Sequence, residues 1–102
     1  MKIGIYGGSF NPPNKMHKQI ATSMIKKGYV DKVIIMPTAD GYNKPNLLKG
    51  TERVRLLEDM FKSDPNIEVS SYEVDGHLYT LKTMNHYQRL YPNDELYFIL
   101  RY

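Results

Sequence analysis

The sequence contains no cysteine, which excludes disulfides, thiolate nucleophiles and cysteine-based metal sites and agrees with a reducing compartment. It also lacks any apolar run near the ~20 residues of a membrane span, so a soluble protein without membrane contact is expected. The opening MKIGIYGG is a strand-length run ending in glycines rather than a signal peptide, and the expected location is the cytoplasm. Blocks of like charge are missing too. The 14 Lys and Arg against 11 Asp and Glu leave a net charge of +3 spread along the chain, which would suit an anionic small molecule but gives no nucleic-acid stripe. His77 and His86 stand apart from carboxylates at ligand spacing, so structural roles and no metal site are expected of them.

What is present fits one small α/β domain, 1–102. Lys2–Tyr6 is an apolar strand closed by Gly7 and Gly8. His17, Ile20, Ala21, Met24 and Ile25 then recur at helical spacing up to a stop at Gly28. Lys32–Met36 is a second continuous apolar run, ended by Pro37, and reads as a strand buried on both faces. The polar stretch from Thr38 to Gly50 is long for a structureless connection, which favours a functional loop. Thr51 is a plausible N-cap for a helix with Val54, Leu57, Met60 and Phe61 on one face, and a third strand is expected around Ile67–Val74. Thr80 can cap a third helix with Leu81, Met84, Tyr87 and Leu90 inward, and Leu96–Leu100 is the fourth strand. This alternation predicts a Rossmann-like open parallel sheet of about four strands with helices on both faces.

In such sheets ligands collect at the carboxyl ends of strands where strand order reverses, which singles out the first loop. Gly7 and Gly8 allow unusual backbone angles and close approach of N–H groups to an anion, and Ser9 and Phe10 add main-chain donors. The helix opening near Asn14–His17 points its own N–H groups and dipole at the same place, so phosphate is the best-matched guest. Gly-Gly-Ser alone is equally compatible with a tight βα turn. His17 in the first helical turn adds a group able to hydrogen-bond a phosphate oxygen and, when protonated, to offset negative charge.

GGSFNPPNKMH resembles the signature of the nucleotidyltransferase superfamily, a Gly-rich G-[ST]-F-[DN]-P turn running into a His-x-Gly-His motif. PTADGYNKP, TERVRLLEDMF and LYTLKTMNHYQRLYPNDELYFIL are similar, in order, to segments of bacterial nicotinate mononucleotide adenylyltransferases. The resemblance implies nucleotide phosphate contacts from Gly7, Gly8, Ser9 and Phe10. It implies catalytic positions at His17, Asn14 and Lys44, a mononucleotide site at Tyr79 and Thr80 with Tyr42 able to line the cleft, and a structural Arg53. The implied reaction is attack of a mononucleotide phosphate on the α-phosphorus of ATP, with magnesium arriving with ATP and pyrophosphate leaving, as in NAD biosynthesis. Its catalysis is positioning and charge stabilisation without a side-chain nucleophile.

Two positions depart from the signature: Asn14 replaces its first histidine and Met16 its glycine. An amide cannot become cationic, and a lost preorganised donor typically costs on the order of 100-fold in rate. The thioether of Met16 would stand where bare backbone admits the nucleotide. The similarity stops at ILRY, where the family continues into a second phosphate motif, so an incomplete version of the fold with weakened or lost catalysis is expected. The alternatives are a non-catalytic nucleotide-binding or self-assembling module, or an enzyme completed by a second polypeptide. Leu96–Leu100 is expected at a sheet edge, where it would favour a homodimer or higher oligomer.

Overall fold

A computed structural model of the chain describes residues 1–39, 48–74 and 80–99, with backbone alone at 80 and 81. Along the chain run β1 (Lys2–Gly8), α1 (Lys15–Lys26), β2 (Lys32–Pro37), α2 (Gly50–Met60), β3 (Ile67–Val69), α3 (Thr80–Leu90) and β4 (Glu95–Ile99). The strands form one parallel sheet in the order β3-β2-β1-β4. In its register Ile5 of β1 lies beside Ile34 of β2 and Phe98 of β4.

The continuous apolar runs of β1 and β2 follow from burial on both faces. Val33 and Ile35 point to one face and pack with Tyr6, Phe10, Ala21, Leu57 and Phe61 beneath α1 and α2. Ile34 and Met36 point to the other and meet Ile3, Ile5 and Tyr87 beneath α3. Each such side chain taken fully out of water contributes about 1.5–3 kcal/mol, so these two layers hold the sheet. The helix stop at Gly28 also follows from its residue type: its φ of 79° is the left-handed turn that glycine adopts without strain.

Four local expectations are corrected. β3 ends at Val69 rather than Val74, because Ser70 Oγ accepts the N–H of Tyr72 at 3.1 Å and bends the chain into a turn. α2 starts at Gly50 with Lys49 in the N-cap position and no side-chain cap, so Thr51 does not cap it. Its inward positions belong to Arg53 and Leu57, with Val54 only half-buried. Leu90, expected inward, is 58% exposed at the end of α3. Among the described residues β4 has no strand on its outer side, and no helix is long and apolar enough to cross a membrane.

Candidate functional site

The strand order reverses at β1, which has β2 on one side and β4 on the other, so its carboxyl end opens into the crevice where such sheets take ligands. Gly7 and Gly8 belong to β1, and neither adopts the left-handed conformation that the sequence suggested for them. Gly7 serves by lacking a side chain, since a Cβ there would stand 3.3 Å from the ring of Phe98, whereas one on Gly8, 3.4 Å from the ring of Phe10, would make ordinary contact. The left-handed residue is Phe10 itself, with φ of 48°.

A phenylalanine in that region is strained by about 1–3 kcal/mol and persists only where its surroundings over-determine it. Here the ring is 1% exposed. It meets Tyr6 edge-on at 5.3 Å and His17 at 4.7 Å between centroids, an arrangement aromatic pairs favour. The backbone is held separately. Arg53, fully buried in α2, donates from Nη1 to the carbonyl of Ser9 at 2.9 Å and from Nε to the carbonyl of Leu48 at 2.8 Å. Leu48 N–H in turn donates to Asn11 Oδ1 at 2.9 Å, so the first loop is tied to α2 and its entry at two points.

The result is a cleft of about 280 Å³ lined by Gly7, Gly8, Ser9, Phe10 and His17, with Tyr6 and Ile99 at its walls. The N–H groups of Ser9 and Phe10 make no hydrogen bond to any described residue. Buried backbone donors are nearly always paired, and a residue in the left-handed region turns neighbouring N–H groups toward a common hollow, the geometry of an anion nest. Among the described residues no carboxylate lines the cleft, and no three His, Asp or Glu side chains gather as a metal site.

His17 enters the cleft wall with its ring oriented by the helix it helps to start. Its Nδ1 accepts the N–H of Asn14 at 3.0 Å, while Asn14 Oδ1 accepts from Met16 N–H at 2.9 Å and His17 N–H at 3.2 Å. This is a capping box with histidine in the place usually taken by glutamate. A lone pair used at Nδ1 puts the ring proton on Nε2, so the imidazole is neutral in this arrangement. The expected cationic role would break the bond to Asn14.

The structure thus brings together five of the sequence candidates, Gly7, Gly8, Ser9, Phe10 and His17. Asn14 is not in the cleft wall; its side chain caps α1. Met16 is also outside it, half-exposed and turned toward Gln19 and Ile20 on the outer side of α1, so it does not obstruct the cradle as the signature comparison suggested. Lys44, Tyr42, Tyr79 and His77 lie outside the described residues, and Thr80 is the first residue of α3. Sequence reasoning gave Arg53 no part in the loop, although an arginine one turn before Leu57 on the inward face of α2 was a usable signal. It also passed over Glu73, a buried carboxyl that accepts a hydrogen bond from Thr83 Oγ1 at 2.8 Å. Burial raises the pKa of Glu73 above its usual 4.5, with the Thr83 bond opposing.

The cytidylyltransferase-like family profile matches residues 5–101. A nicotinate-nucleotide adenylyltransferase of Bacillus subtilis is 33% identical over 103 residues, covering 97% of this chain and 54% of that protein. A Vibrio parahaemolyticus protein assigned as a nicotinate-nucleotide adenylyltransferase superposes with a TM-score of 0.78 at 27% identity, over 97% of this chain and 56% of that one. The Plasmodium falciparum nicotinic acid mononucleotide adenylyltransferase, solved with NaAD, shares the fold with a TM-score of 0.81 at 20% identity, over 97% and 51%. The chain spans about half the length of the curated relatives it matches.

Proposed function

Because the chain belongs to the cytidylyltransferase-like family, we propose that its first loop binds nucleotide phosphates, in a protein of nicotinate mononucleotide adenylyltransferase type whose catalysis is weakened or lost. The observation that carries this reading is the pair of N–H groups at Ser9 and Phe10, which meet no described protein acceptor beside a cleft that no described carboxylate lines. Two backbone donors and the start of α1, with the His17 ring in the same cleft wall, suit a phosphate oxygen. ATP and a mononucleotide are the proposed ligands, with Lys44, Tyr79 and Thr80 as further contacts.

The chemistry asked of these groups is placement. A mononucleotide phosphate oxygen attacks the α-phosphorus of ATP, the bond to the bridging oxygen breaks, and pyrophosphate leaves. The protein holds the two phosphates in line and stabilises the charge that spreads over them. Magnesium would neutralise part of that charge and would arrive on the triphosphate, since the described cleft offers no carboxylate to hold it. Asn14 is engaged as a cap and is not among the residues that line the cleft, which supports weakened catalysis.

A second reading, a self-assembling or non-catalytic nucleotide-binding module, is favoured by the outer edge of β4, where no described strand pairs. Calorimetric titration with ATP and nicotinate mononucleotide, followed by a pyrophosphate-release assay, separates the possibilities. Binding with slow or no turnover is expected. Turnover equal to that of the Bacillus subtilis relative would overturn the weakened-enzyme reading, and no binding of either ligand would overturn the phosphate cradle.

A further inference from the structure

We propose that Arg53 is the positioning residue of this anion loop, aiming the Phe10 N–H into the cleft by holding the carbonyl at the other end of the same peptide unit. The inference rests on the phosphate-cradle reading of the loop and assigns it a source of orientation. In a trans peptide the C=O and N–H point in opposite directions. Arg53 Nη1 draws Ser9 C=O toward α2 at 2.9 Å, so the N–H of Phe10 is turned away from α2, and Phe10 itself lines the cleft with Ser9 and His17.

Three further observations agree. Phe10 N–H has no hydrogen-bond partner among the described residues. The φ of 48° at Phe10 is a conformation that a flexible loop would relax, and packing of the ring alone does not fix the peptide plane that precedes it. Arg53 is fully buried, and a charge taken out of water is retained only where its hydrogen bonds are well made. Its Nε also holds Leu48, so one planar guanidinium sets the first loop against the entry to α2. A lysine has no second donor at fixed angle and cannot reproduce that fork.

The test is an NMR titration of the 102-residue chain with inorganic pyrophosphate, following the amides of Ser9 and Phe10, in the wild type, R53K and R53Q. Positioning predicts that wild-type Phe10 N–H moves downfield on binding. It also predicts that R53K and R53Q, even where heat stability is largely kept, bind pyrophosphate at least tenfold more weakly with a displaced Phe10 resonance in the free protein. A folded R53K or R53Q with wild-type affinity and an unmoved Phe10 amide overturns the role of Arg53 alone. A wild type with no pyrophosphate shift at Ser9 or Phe10 overturns the cradle and this inference with it. Should neither variant fold, the through-hydrogen-bond coupling between Arg53 Nη and the Ser9 carbonyl carbon decides in the wild type: it persists in the pyrophosphate complex if the contact orients the loop, and its loss on binding overturns the proposal.

Discussion

Asn14 and His17 close each other's hydrogen bonds at the start of α1, Asn14 Oδ1 accepting from His17 N–H at 3.2 Å and His17 Nδ1 accepting from Asn14 N–H at 3.0 Å. Asparagine at a position where the family signature has histidine is therefore part of a working helix cap, and the same contact fixes the ring of a cleft residue. Losing such a cap costs about 1 kcal/mol, which in a domain of this size lowers Tm by roughly 4–8 °C. Asn14→Ala is expected to show that loss by calorimetry. Asn14→His, which restores the signature, is expected to lose stability as well, because it removes the acceptor that Met16 and His17 share. An unchanged Tm in both variants would show that the cap contributes nothing.

The strain at Phe10 yields an inverted order of substitutions. Phe10→Ala loses a buried ring and should cost about 3–5 kcal/mol. Phe10→Gly loses the same ring but escapes the roughly 1–2 kcal/mol that a Cβ meets in the left-handed region. That gain exceeds the roughly 0.5–1 kcal/mol of additional chain entropy glycine loses on folding. Urea unfolding should therefore place Phe10→Gly above Phe10→Ala. Alanine equal to or above glycine would mean that the loop relaxes once the ring is gone.

The sheet and its two helical faces were legible because burial on both sides writes itself as uninterrupted apolar runs, Lys32–Met36 being the clearest. The first loop was singled out for a reason that its geometry only partly shares. Gly7 and Gly8 suggested backbone freedom, whereas at Gly7 a neighbouring ring needs the space, and the unusual backbone belongs to a phenylalanine that no propensity rule would nominate. The start of α2 was misplaced because its organiser is tertiary: Arg53 reaches back to Leu48 and across to Ser9, 44 positions away in sequence. The end of β3 was overrun because Val69 and the residues after it keep an alternating look, while one hydroxyl, that of Ser70, turns the chain.

At β4 the prediction concerns association. The described sheet ends there, with Tyr97 44% exposed, and an unpaired apolar edge recruits another strand unless it is charged or covered. Light scattering at rising protein concentration should show a dimer or larger species. Tyr97→Lys, which places a charge on that edge, should shift the population toward monomer with little change in Tm. A wild type that stays monomeric throughout the concentration series would overturn the proposed self-association.

Glu73 supplies a pH signature with a definite sign. Its carboxyl is buried and its pKa stands above 4.5, mainly because burial disfavours the charge, with the Thr83 hydroxyl opposing. Between the unfolded value and the raised folded value the native state therefore binds more protons than the unfolded state. Stability contributed by this group falls as pH rises through that window, and above it the ionised carboxyl opposes folding by a constant amount. Glu73→Gln keeps an acceptor for Thr83 and carries no charge. It should unfold at a higher urea concentration than the wild type near about pH 7, with the difference shrinking as pH falls through the raised folded value toward 4.5 and the wild-type carboxyl takes up its proton. Two midpoint curves that run parallel across that range would show that Glu73 meets the same surroundings, folded or unfolded.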